Sequence, residues 1–140
     1  MTFHSVDLPI QALDLFGPGA RYHHTGLVTA SIESVCGAGV AVDDPIQRVR
    51  VAFVRIHDQL LELVEPWDAQ SPVALSLQKG VKLLHLCYSV PDLSESLRRC
   101  RAHGFLPISK PQPAVALGGR PIVWVMSTLY GLFELLEEKT

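Results

Sequence analysis

The eight-residue run Leu83-Leu84-His85-Leu86-Cys87-Tyr88-Ser89-Val90 constrains the fold of this chain more than any other stretch. Side chains alternate along an extended strand, so Leu83, His85, Cys87 and Ser89 share one face while Leu84, Leu86, Tyr88 and Val90 share the other. Pro91 and Asp92 follow, and then Leu93, Leu97, Cys100 and His103 recur at helical spacing until Gly104 supplies a stop. Strand therefore runs into helix with almost no loop. A weaker copy lies upstream, where HTGLVTA, opened by His24, precedes the short helical segment SIESVCGAG. Each half closes on a strand with a glutamate among apolar neighbours, LLELVEP around Glu62 and LFELLEE around Glu134. The same order is thus written twice: histidine strand, helix, further strands, glutamate strand.

A chain of 140 residues is the size of one domain with one good core, so the two halves must share a fold. Residues 1–21 form an N-terminal arm carrying Leu8, Ile10, Leu13, Leu15 and Phe16 before a Gly-Pro-Gly break. The first module is residues 22–66, a connector follows at 67–80, and the second module is residues 81–138. The first module is the shorter, and its helix is abbreviated. Asp43, Asp44 and Pro45 read as a turn before the strand VRVAFVRI, and His57, Asp58 and Gln59 as the turn into LLELVEP. Ser71 is placed as the N-cap of a short connector helix bearing Val73, Leu75 and Leu77. In the second module, Phe105 to Ile108 reads as a strand, KPQPAVALGGR as a loop and PIVWVM as a buried strand. Leu129 to Gly131 is the last turn. The expected class is α+β, with two βαβββ modules curving into one half-open barrel around a cleft.

Charged residues make up 19% and hydrophobic ones 48%, which excludes a disordered chain. The formal charge of -2 and a pI near 6.3 give no polybasic footprint, so nucleic acid is not an expected partner and a small molecule is. No apolar run is long enough to span a bilayer, and MTFHSVDL lacks the pattern of a signal peptide, so the expected location is the cytoplasm. Cys36, Cys87 and Cys100 are odd in number and unlike a zinc pattern in spacing, which reads as reduced structural thiols.

Two histidines and two glutamates on four strands can converge on one divalent ion when the sheets curve together. Two imidazoles and two carboxylates suit a borderline ion such as Co, Ni, Zn, Mn or Fe. His23 and His24 are adjacent, and on a regular strand they point to opposite faces, so only one can look into the site. His24 stands before TGLV as His85 stands before LCYS, and is the one chosen. Glu62 competes with Glu65, and Glu134 with Glu137 and Glu138. The interior members, Glu62 and Glu134, lie mid-strand among apolar residues, where an unpaired carboxylate is costly and a metal removes that cost.

The segments HTGLV, LLELVEP, SPVALSLQKG, LLHLCYSVPDL, GGRPIVWV and GLFELLEE resemble those of methylmalonyl-CoA epimerases, within the vicinal oxygen chelate (glyoxalase/bleomycin resistance/dioxygenase) superfamily. The resemblance runs from Tyr22 to Glu138. It implies the vicinal oxygen chelate fold, with one divalent ion held by His24, Glu62, His85 and Glu134. It also implies a metal-dependent epimerase or isomerase, or a glyoxalase-like lyase, that moves a proton beside a metal-bound carbonyl on an acyl-CoA such as methylmalonyl-CoA. Glu134 would be both ligand and catalytic base. The family's other acid–base residue would fall near Ile46 or Gln47, neither of which can take a proton, with Asp43 and Asp44 the nearest carboxylates. That departure and the short first helix suit a second reading, a non-catalytic small-molecule-binding protein of the resistance or sequestration type. An iron dioxygenase needs only two histidines and one glutamate, so a fourth ligand at Glu62 speaks against it. Arg98, Arg99, Arg101, Lys110 and Arg120 are available to CoA phosphates but read as ordinary solvated charge. Exposed sheet edges and the apolar arm lead to the expectation of a homodimer.

Overall fold

The two histidine strands pair with each other, and the rest of the chain is laid out from that seam. In the computed structural model, which describes residues 9–138, β1 (Arg21–Val28) and β5 (Leu83–Val90) run antiparallel in the middle of a mixed nine-stranded sheet. Beyond β1 lie β4 (Gln59–Pro66), β3 (Val49–Ile56) and β2 (Val42–Asp44). Beyond β5 lie β9 (Gly131–Glu137) and β8 (Arg120–Ser127), and β8 pairs with both β6 (Leu106–Pro107) and β7 (Gln112–Ala114). In each half the glutamate strand is parallel to the histidine strand, β4 to β1 and β9 to β5. The two halves are therefore related by an approximate two-fold axis through the β1–β5 seam. The sheet is open, and its two wings are continuous across that seam.

Among the described residues three α-helices accompany the sheet: α1 (Ile32–Cys36), α2 (Ala74–Gln78) and α3 (Leu93–Arg101). Both module helices start on a side-chain cap, with Ser31 accepting from the Ser34 amide at 3.2 Å and Asp92 from the Glu95 amide at 3.1 Å. A second device is repeated in both halves. Glu65 accepts a hydrogen bond from the Ile32 amide at 2.8 Å, and Glu137 accepts one from the Leu93 amide at 2.9 Å. These glutamates competed with Glu62 and Glu134 in the sequence; each lies three residues further along, on the opposite face of its strand, and ties that strand to the start of its own helix.

Strand alternation separates the two faces. Tyr88, Val90, Val123, Val125, Phe133 and Leu135 turn toward α3 and pack with Leu93, Cys100 and Phe105, while Ile32 of α1 packs on Leu27, Ala52 and Leu63 in the other half. The opposite face carries His24, Glu62, His85 and Glu134, so α1 and α3 back the sheet, whereas α2 lies on the site side, with Val73 before it packed near Val49, Val51 and Val64.

Several local expectations are corrected. Asp43 and Asp44 are the end of β2 rather than a turn, which comes at residues 45–48 and is closed by the Asp44 carboxylate accepting from the Gln47 amide. Ser71 does not cap α2, whose first turn has no side-chain cap; its carbonyl instead accepts from the Ala74 amide. The segment KPQPAVALGGR is not all loop, since β7 and a 3-10 turn at Val115–Leu117 add to the second wing. Helix α3 stops at Arg101, so His103 lies beyond it, and Gly104 takes the left-handed backbone (φ 86°) that its lack of a Cβ permits.

Within the described part of the N-terminal arm, Phe16 is the anchor. Its ring centroid lies 5.4 Å from that of Tyr88, 5.4 Å from Phe105 and 5.5 Å from Phe133, and its carbonyl accepts from the buried Ser96 hydroxyl at 2.7 Å. Leu8 lies outside the described residues. Replacing Phe16 with Ala opens a void in the helix-side core and is expected to cost about 3 kcal/mol, read as a lower urea midpoint at unchanged slope.

Candidate metal centre

Two β-bulges aim the histidines. Between Tyr22–Tyr88 and His24–Cys87 the pairing of β1 with β5 advances two residues on β1 and one on β5, so His23 is the extra residue. Between Gly26–His85 and Leu27–Leu83 the extra residue is Leu84, on β5. Each of these two histidines is thus preceded by its own bulge residue, and a bulge twists the strand and redirects the next side chain. The result is that the Nε2 atoms of His24 and His85, from different halves, lie 3.3 Å apart.

Glu62 and Glu134 close the group. Oε1 of Glu62 is 3.6 Å from Nε2 of both histidines, and Oε1 of Glu134 is 3.2 Å from that of His24 and 3.4 Å from that of His85. All four residues are buried: His24 is 0% exposed, Glu134 3%, His85 6% and Glu62 7%. Aromatic rings wall the cluster on both sides, Phe53 at 5.2 Å from His24 and Trp124 at 4.6 Å from His85, both nearly edge-on. These too obey the two-fold relation, since Phe53 pairs with Glu62 across β3–β4 and Trp124 with Glu134 across β8–β9.

The donor set fits a divalent ion. Oε1 of Glu134 is buried without a hydrogen bond of good geometry although two imidazole nitrogens lie close to it, so the donors face a common centre rather than one another. Ligands about 2.1 Å from a four- to six-coordinate ion stand about 3.0 to 3.5 Å from their neighbours, close to the 3.2 to 3.6 Å between imidazole nitrogens and carboxylate oxygens here. Imidazole nitrogen with carboxylate oxygen is a donor set for Zn, Co, Ni, Mn or Fe. His24, Glu62, His85 and Glu134 each offer one such atom within 4.8 Å of the others.

Without an ion, the charges must neutralise one another. Burial pulls His24 down, but Glu134 and Glu62 beside it overcome burial and raise it to about 9. Burial pushes Glu134 up, and His24 and His85 reverse this, holding its carboxyl down to about 2. The metal-free cluster is therefore an imidazolium against carboxylates.

The cluster opens on a cavity of about 470 Å³ between the two wings, lined by Glu62, His85 and Trp124. Its walls are mostly apolar, with Val49, Val51, Val64, Leu84 and Leu117 among them. Gln47 also faces it, pinned by accepting from Trp124 Nε1 at 3.0 Å and donating to Asp44 at 3.3 Å. Asp44 lines the cavity with both carboxylate oxygens accepting from Gln47, whereas Asp43 pairs with Arg50 away from it. Arg98 and Arg99 pair with Glu95 on α3, at the helix side of the sheet.

Sequence reasoning overlooked three contributors. Gly26 leaves room for His85, because a Cβ there would collide with the imidazole, Cε1 first. Trp124 looked like core, yet it walls His85. His23 was set on the far face, but as a bulge residue it turns back so that its Nδ1 lies 2.8 Å from Nδ1 of His24. The HTG spacing carried the glycine's signal; a bulge leaves none in a single sequence.

Two outcomes follow from this geometry. Gly26→Ala should lower metal affinity at least tenfold by displacing His85, measured by competition with a chromophoric chelator. In the wild type an incoming ion must displace the His24 proton, so raising the pH removes a competitor. Affinity should climb about tenfold per pH unit through neutrality and level off above about 9, with about one proton released per ion, as calorimetry in buffers of differing ionisation enthalpy would record.

Residues 23–124 match the Glyoxalase/Bleomycin resistance protein/Dioxygenase superfamily, a span holding His24, Glu62 and His85. An ethylmalonyl-CoA/methylmalonyl-CoA epimerase from Cereibacter sphaeroides is 23% identical over 116 residues, covering 75% of this chain and 87% of that protein. A methylmalonyl-CoA epimerase from Dictyostelium discoideum, described as mitochondrial, is 27% identical over 131 residues, with 85% and 78% covered. The crystal structure of methylmalonyl-CoA epimerase from Mycobacterium tuberculosis superposes with a TM-score of 0.73 at 20% identity, covering 94% of each chain, a likeness of fold. With the family matched over most of its length and the same fold built around the two-fold His/Glu cluster, the chain belongs to the Glyoxalase/Bleomycin resistance protein/Dioxygenase superfamily.

Proposed function

We propose that this chain is a metal-dependent isomerase that moves a proton at the carbon next to a thioester carbonyl, on an acyl-CoA such as methylmalonyl-CoA. The observation that carries the reading is the buried His24–Glu62–His85–Glu134 cluster, which opens directly on a largely apolar cavity. Relatives named as methylmalonyl-CoA epimerases supply the substrate class.

In this reading His24, Glu62, His85 and Glu134 hold one divalent ion, which supplies Lewis acidity toward carbonyl oxygens of the substrate. Glu134 is a carboxylate at neutral pH and accepts the proton from the carbon between the carbonyls. The apolar walls around Val49, Val51 and Leu84 exclude water from that carbon, which strengthens every charge interaction at the site. On the opposite wall Gln47 holds no titratable proton, and Asp44 has both oxygens engaged by Gln47. Removal and return of the proton at one face therefore outpaces transfer across both faces. No helix among the described residues is long and apolar enough to cross a membrane.

Metal-loaded protein incubated with methylmalonyl-CoA in deuterated water is expected to incorporate deuterium between the carbonyls faster than it interconverts the epimers, followed by NMR and chiral analysis. Glu134→Gln should keep its metal and lose exchange by about a hundredfold or more. A metal-loaded wild type that binds the thioester but catalyses neither process would make the chain a binding protein of the same fold.

A further inference from the structure

His23 is used by none of the chemistry above, yet the bulge that ejects it from the regular pairing of β1 brings its ring against His24 rather than away from it. The rings meet nearly edge to face, with centroids 5.0 Å apart, and the half-buried His23 also leans edge-on against Phe53. The nitrogens facing each other at 2.8 Å are the two Nδ1 atoms, while Nε2 of His24 points into the four-donor cluster. A hydrogen bond between two Nδ1 atoms requires one to carry a proton and the other to be bare. A neutral imidazole that presents Nε2 to a cation carries its only proton on Nδ1.

Together these leave one arrangement. We infer that His23 is a positioning residue for the metal site, accepting the Nδ1 proton of His24 at its own bare Nδ1 and so fixing His24 in the orientation and tautomer that offers Nε2 to a divalent ion. This rests on reading the cluster as a metal site. A buried ligand imidazole normally donates its second N–H to a carboxylate, a carbonyl or water; here a second imidazole takes that part. The support is one-sided, because the bulge residue before His85 is Leu84, which has no polar atom to offer.

The test compares two variants of the full chain by affinity for Co(II), measured against a chromophoric chelator at one pH. His23→Asn places an acceptor oxygen close to the position of Nδ1, and His23→Leu fills similar space without one. His23→Leu should bind Co(II) about 10- to 100-fold more weakly, while His23→Asn stays within about threefold of wild type and the metal-free melting temperatures of the two agree. Equal loss in both variants, or none in either, would overturn the positioning role while the metal reading stands. A wild type that binds no Co(II) would remove both. Independently of either variant, long-range proton–nitrogen spectra of the wild type loaded with Zn(II) should show His24 protonated at Nδ1 and His23 protonated at Nε2. The reverse assignment would overturn the inference even if His23→Leu fails to fold.

Discussion

Four polar side chains buried against one another, two carboxylates and two imidazoles from four strands, are the constraint on which the rest of this structure depends. A buried carboxylate without partners is costly, and two within one cluster are more so. The chain meets that cost through the seam of β1 with β5, which brings the two histidines from separate modules to the same place. Each half alone would hold one imidazole and one carboxylate; only the pairing of the halves makes a four-donor site.

The approximate two-fold axis explains why so much is doubled. A cap, a bulge, an aromatic wall and a glutamate that ties its strand to a helix all recur in both halves. Function enters where the doubling fails. The cavity lies against Trp124 and His85 rather than Phe53 and His24, and His23 has an apolar counterpart in Leu84. A symmetric frame thus gathers the four donors, and its asymmetries give the cluster two different sides.

Much of this was legible in the residues because two periodicities coincide with two chemical markers. The period of two along LLHLCYSV, the helical spacing of Leu93, Leu97 and Cys100, and glutamates inside apolar strands suffice for the paired modules, for the short first helix and for the four residues that converge. Glu62 and Glu134 were separable from Glu65 and Glu137 by their apolar neighbours, although nothing in the sequence said that the latter pair would reach the helix starts. What escaped was set by pairing between distant strands. A bulge is a mismatch of register between β1 and β5, so alternation along β1 alone sent His23 to the wrong side. The extra strand at Gln112–Ala114 forms because β8 has a free edge there, which overrides the local preference of a Pro- and Gly-rich segment for loop. Asp44 was read as a turn residue from its neighbours Asp43 and Pro45, and does close a turn, but from the last position of a strand.

X-ray absorption spectroscopy of the cobalt-loaded protein tests the central claim most directly, because it reports the atoms around the ion whatever the substrate proves to be. Nitrogen and oxygen scatterers at about 2.1 Å, with the outer-shell pattern of two imidazoles and no sulfur, are expected from His24, Glu62, His85 and Glu134. A sulfur scatterer near 2.3 Å, or an ion ringed by water oxygens without imidazole, would contradict it.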